Sequence, residues 1–158
     1  MKTPALACAL VCFLVVPELT KAQDLGDLQH IAILVEDLDK DSESIGLTSQ
    51  SLSDMVLVGL KRDVPKLKID DKPQVSSFYV QLTSVEINND IACHVAVSVT
   101  RFAMIAGDSG KQNYSVAVKV WDKGVLLTGP TSAMASRIRD RINDFVTAFA
   151  AQYYKDNP

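Results

Sequence analysis

From Ile91 to Val99 every second side chain is one that prefers burial: Ile91, Cys93, Val95, Val97 and Val99. Ala92, His94, Ala96 and Ser98 stand between them. A period of two sends alternate side chains to opposite faces of a strand. Such a run can therefore settle only as a long strand with one buried side and one side of different character. The terminal stretch repeats differently. Met134, Ile138, Ile142, Phe145, Phe149 and Tyr153 recur at helical spacing, while Arg137, Arg141 and Asp144 fall on the other side. This predicts a long amphipathic helix over residues 132–154. A one-sided strand and a one-sided helix need each other.

The remaining elements follow the same logic. His30 to Glu36 is a strand with Ile31, Ile33 and Val35 on one side. Thr48 suits an N-cap, its hydroxyl taking up a free amide of a helix over residues 49–62. Leu52, Met55, Val56 and Leu60 form that helix's apolar stripe, and Gly59 lies on it. Glycine there costs roughly 1 kcal/mol of propensity, offset if the flat spot lets a strand pack closely. Val64-Pro65 ends the helix, because a residue before proline avoids the helical basin. Lys66 to Asp70 is a short edge strand.

Ser77 to Ile87 alternates through Phe78, Val80 and Leu82, then changes phase at Val85 and Ile87, which predicts a bulge near Ser84. Asn88-Asn89-Asp90 and Gly107-Asp108-Ser109-Gly110 are turns. Tyr114 to Trp121 points Tyr114, Val116, Val118 and Val120 inward, and Asp122-Lys123-Gly124 makes a turn or kink before a short extension over 125–128.

The expected class is α+β, in the order β-α-β-β-β-β-α. It has a single, mostly antiparallel sheet of four to five strands, with the first two strands parallel across the first helix. Both helices cover the same face, since only one side of each strand is strongly apolar. The uncovered face then carries Ala32, Leu34, Tyr79, Gln81, Thr83, His94, Ala96, Ser98, Ala117, Lys119 and Trp121.

The amino terminus has another logic. Lys2, an apolar run from Ala5 to Val16, and Thr20-Lys21-Ala22 have the three parts of a secretory signal. The apolar run is well short of the ~20 residues that span a bilayer. Residues 1–22 are expected to be a cleavable signal peptide and 23–158 one α/β domain, periplasmic or secreted and without membrane insertion after cleavage. Cys8 comes too early for a lipobox, and Val11 fits poorly before Cys12. Removing Lys2, Lys21 and Glu18 from the 16 basic and 19 acidic residues leaves a net charge of −4. A nucleic-acid binder shows a basic excess on some face, so that partner is disfavoured. Only Cys93 remains, which precludes an intramolecular disulfide.

Chemistry-bearing motifs fail one by one. Asp37, Asp39 and Asp41 alternate like the first ligands of a calcium loop, and they are the candidate metal residues. Ser42 and Thr48 stand where an EF-hand needs Gly and Glu. Cys93 and His94 point to opposite faces and cannot act as nucleophile and base. Gly107-Asp108-Ser109-Gly110 has neither the histidine and aspartate context of a protease nor the spacing of a P-loop. Asn113-Tyr114-Ser115 is a glycosylation sequon, meaningful in a eukaryotic secretory route. No catalytic residue and no cofactor are implied. The candidate partner-binding residues are Tyr79, His94, Lys119 and Trp121 on the uncovered face.

Asp37-Leu38-Asp39, Gly46-Leu47-Thr48 opening a helix, Trp121-Asp122-Lys123-Gly124, and Thr128-Gly129-Pro130 before a long terminal helix form a series. The series resembles a group of uncharacterised exported bacterial proteins. The element order is similar to the small envelope domains of TolB amino-terminal regions and of curli-secretion and peptidoglycan-synthase-activator lipoproteins. That resemblance implies protein–protein docking in the periplasm rather than catalysis. The function expected is a non-enzymatic binding or scaffold domain. It would meet a protein partner in the cell envelope, or a second copy, through the open sheet face or an edge strand. The alternative is a small-molecule or cation binder, or a minor hydrolase, using the acidic loop 37–43.

Overall fold

The structure is a computed structural model in which residues 25–71, 76–106 and 113–158 are described. Residues 1–22, where a signal peptide is expected, and the turn expected at Gly107–Gly110 lie outside them. The elements are β1 (His30–Val35), α1 (Lys40–Ser44), α2 (Ser49–Asp63), β2 (Lys68–Asp70), β3 (Ser76–Ile87), β4 (Asp90–Ala106), β5 (Asn113–Pro130) and α3 (Thr131–Asp156). One five-stranded sheet runs β2-β1-β3-β4-β5. β1 pairs in parallel with both β2 and β3, whereas the longer β3–β4 and β4–β5 ladders are antiparallel. The α+β class, the element order and the edge position of β2 match the sequence reading.

Each helix forms where its caps and stripe require it. Thr48 accepts from the Ser51 amide, and the Ser51 hydroxyl contacts the Thr48 amide in return, a reciprocal cap. Lys61 and Arg62 occupy the last turn of α2, where the macrodipole favours cations. Along α3, Met134, Ile138, Ile142, Phe145, Val146, Phe149, Ala150 and Tyr153 are buried. The two helices approach closely at Gly59, where a β-carbon would stand 3.1 Å from Val146 Cγ1. The glycine flat spot does serve packing, against a helix rather than a strand. Among the described residues, no helix is long and apolar enough to cross a membrane.

The helices and one side of the sheet form a single core. Ile31, Phe78, Val80, Leu82, Ile91, Cys93, Val95, Val97, Val99 and Leu127 join the α2 and α3 stripes in it. The start of the described chain is sewn to the end of α3: the Leu25 amide donates to Asp156 Oδ2 at 3.0 Å, and Asn157 Nδ2 donates to the Leu25 carbonyl at 2.9 Å.

Three local expectations are corrected. First, β3 has no bulge at Ser84. Its register with β4 runs unbroken from Ser76↔Arg101 to Ile87↔Asp90. Ser84 points inward, so Val85 and Ile87 lie outside on the bare side, 54% and 64% exposed. Second, the irregularity sits on β5, where Val99 pairs with Trp121 and Thr100 with Lys119, so Val120 is the extra residue. Asp122-Lys123-Gly124 continues the strand rather than turning it. Third, the acidic loop contains the short helix α1. Asp39 Oδ1 accepts from the Ser42 amide at 2.7 Å and caps it.

Candidate functional site

The Val120 bulge decides which side chains share the uncovered face. An extra residue resets the inside–outside alternation of its strand. Lys119, opposite Thr100, and Asp122, opposite Ser98, therefore both point to the bare side, with Lys119 Nζ 4.0 Å from Asp122 Oδ2. Trp121 goes the other way. It is 1% exposed, with ring centroids 6.4 Å from Phe78 and 5.6 Å from Phe149. Its expected place on the uncovered face is wrong, and it anchors the aromatic centre of the core.

The other three candidate contact residues do come together. Tyr79, His94 and Lys119 line a shallow depression of about 410 Å³ on the bare face, with Gln81, Ser98, Thr100 and Asp122 around them. The cross-strand register builds it in rows: Tyr79–Ser98–Asp122, then Gln81–Ala96–Gly124, then Thr83–His94–Leu126. The depression exists because its central row is small. A β-carbon on Gly124 would stand 3.4 Å from His94 Nε2 and 3.9 Å from Ala96 Cβ. The Tyr79 phenol is pushed above its ordinary range, first by desolvation, then by the charge of Glu36 and by its hydrogen bond to that carboxylate.

Apolar groups lie on this face at both ends of the depression. Leu126, Val85 and Ile87 stand at one end and Phe102 at the other, 65%, 54%, 64% and 42% exposed. Sequence reasoning missed all four, and Asp122 as well. The phase change at Val85 and Ile87 was the available signal, since it fits apolar residues on an outer face as well as a bulge.

The acidic trio does not assemble. Asp39 uses both carboxylate oxygens on backbone amides, those of Ser42 and, at 2.6 Å, Ser84. Asp41 Oδ2 accepts from the Glu86 amide at 3.0 Å, and Asp37 is exposed. Among the described residues no group of three His, Cys, Asp or Glu side chains is gathered for a metal ion. The expected metal trio of Asp37, Asp39 and Asp41 is thus not gathered, and two of the carboxylates instead fasten α1 to β3. Burial alone would raise the Asp39 carboxyl, but the Ser42 and Ser84 amides outweigh it and hold the group below the usual carboxylate range.

Cys93 and His94 are separated as their adjacency requires. Cys93 is fully buried and receives the Ser84 hydroxyl at 3.3 Å, whereas His94 is exposed on the bare face. Burial pushes the Cys93 thiol up, which disfavours the nucleophilic thiolate.

The fold and the face define a class: a single-sheet α+β domain with helices on one side and a mixed polar and apolar surface on the other. No family model matches the chain, and no curated protein does. Among solved structures, the hypothetical protein CT253 from Chlamydia trachomatis is similar at a TM-score of 0.37 and 13% identity, over 75% of this chain and 98% of that one.

Proposed function

We propose that the chain is a non-enzymatic binding or scaffold domain of the cell envelope that docks a protein through its bare sheet face. The observation that carries this reading is the set of exposed apolar side chains on the side without helices: Leu34, Val85, Ile87, Phe102 and Leu126. An antiparallel sheet facing water normally shows polar residues there, and apolar side chains exposed at both ends of a polar depression depart from that pattern in the direction of an interaction surface. The edges do not invite pairing. β2 is only Lys68–Asp70, and β5 carries the Val120 bulge between Lys119 and Lys123. Short strands, lysines and bulges are how edges are kept from pairing. The face is thus favoured over an edge. The export signal read in residues 1–22 supports the envelope location.

Site-specific photocross-linking in whole cells tests this. A benzophenone side chain at Thr83, on the face, is expected to yield a discrete heavier species. The same group at Val58, exposed on α2, should yield none. Equal labelling at both positions, or none at Thr83, would overturn the proposal.

A further inference from the structure

We infer that the occupant of the bare face is a second copy of this chain, laid face to face about a two-fold axis that crosses the strands. The inference rests on the docking role proposed above and names its partner. Size is the first argument. The patch runs from Ala92 to Phe102 on β4, roughly 35 Å at ~3.4 Å per residue, with β3 and β5 alongside at ~4.8 Å per strand and β1 adding only Ala32 to Val35 at one end. That is on the order of 550 Å² in projection, or about 1,100 Å² for two copies, above the ~1,000 Å² total that a specific interface needs.

Shape is the second. A two-fold axis in the plane of the interface reverses the rows and keeps the strands in column, so one end of the face meets the other. With the axis midway between Ala92 and Phe102, Phe102 of one copy sits over Ala92 of the other. Ala92 is small, half-buried, and paired on its sides with Val85 and Thr128, with Leu126 one row away. A large ring and a small seat thus occupy positions that the symmetry exchanges.

Charge is the third. Lys119 and Asp122 offset one another in the face itself. The negative net charge of the chain therefore sets no like-charged surfaces against each other there. The same operation brings Tyr79 over Gln81 of the other copy and Asp122 over the space left by Gly124.

Sedimentation velocity of the purified protein over a concentration series tests the inference. A monomer–dimer equilibrium in the micromolar range is expected. Leu126→Arg should raise the dissociation constant at least tenfold, since the operation sets position 126 over Lys119 of the other copy and each dimer would carry that pair of like charges twice. Val58→Arg on the helix side should leave it unchanged, and circular dichroism verifies that both variants fold. Ala96→Cys, with Cys93 buried, should give a covalent dimer with a bismaleimide reaching about 12 Å, because packed sheets lie ~10 Å apart. A monomer at every concentration, or a dimer weakened by Val58→Arg rather than Leu126→Arg, overturns the inference. If the monomeric protein still gives the face-specific cross-link in cells, the face binds a different protein and the docking role stands. If neither appears, both fall.

Discussion

Replacing Trp121 by Ala separates a core tryptophan from a surface one. A buried tryptophan removes about 200–250 Å² from water. At ~25 cal/mol per Å² that corresponds to roughly 5–6 kcal/mol. The unfolded chain already hides part of this area, which lowers the figure by ~10–40%. Trp121 is 1% exposed and makes edge contact with Phe149 and stacked contact with Phe78, so little collapse can refill the space. The expected loss is therefore about 3–5 kcal/mol, the usual range for a deleted core aromatic. Urea unfolding followed by far-ultraviolet circular dichroism measures it, and Trp121→Phe should recover part of the loss. The wild-type protein gives a second readout because Trp121 is the only tryptophan. Its emission should be blue-shifted and resistant to iodide until the protein unfolds. A loss below ~1 kcal/mol together with strong iodide quenching of the native state would refute the placement of Val120 as the extra residue.

Other consequences are simpler to state. Asp39→Ala should cost about 1–2 kcal/mol at neutral pH, as loss of an N-cap does. Because the folded carboxyl lies below its unfolded value, this contribution is present above the ordinary aspartate range and is lost as pH falls through the folded value. The gap between wild type and variant in chemical unfolding should accordingly close on acidification. Gly59→Val should destabilise by about 1–3 kcal/mol in thermal or chemical unfolding, since even a β-carbon there already crowds Val146. Cys93 should resist an aromatic disulfide reagent in the native protein and react at once in denaturant, since its thiol is both buried and held protonated.

What could be read from the sequence is what strand and helix periodicity control directly. The inward set of β4, the Thr48 cap, the α2 and α3 stripes and the shared face of the two helices all follow from one-dimensional patterns. The features that escaped are settled by contacts distant in the chain. α1 is held by an Asp39–Ser84 bond across 45 positions, and no local propensity reports that. Val85 and Ile87 are apolar, and apolarity alone predicts an inward place; their outward placement is fixed by the unbroken ladder to β4. Trp121 shows the converse error, where the alternation was followed through a position at which the pairing skips a residue. Tyr79 and His94 share the face because β3 and β4 alternate without interruption, and Lys119 joins them because it precedes the extra residue on β5.

The Val120 bulge also shows why core and surface cannot be assigned separately in this chain. Without it, strict alternation from Lys119 would put Trp121 on the bare face and Asp122 against the helices. The aromatic group of Phe78, Phe149 and Trp121 would lose its centre, and a carboxylate would enter the core. With the extra residue, the indole turns inward while Asp122 joins Lys119 outside, leaving the face with a balanced ion pair instead of an exposed tryptophan. An extra residue of this kind bends a strand and makes its free edge a poorer template for pairing. One residue thus turns the indole into the interior, places Asp122 beside Lys119 on the bare face and interrupts the regular edge of the outer strand.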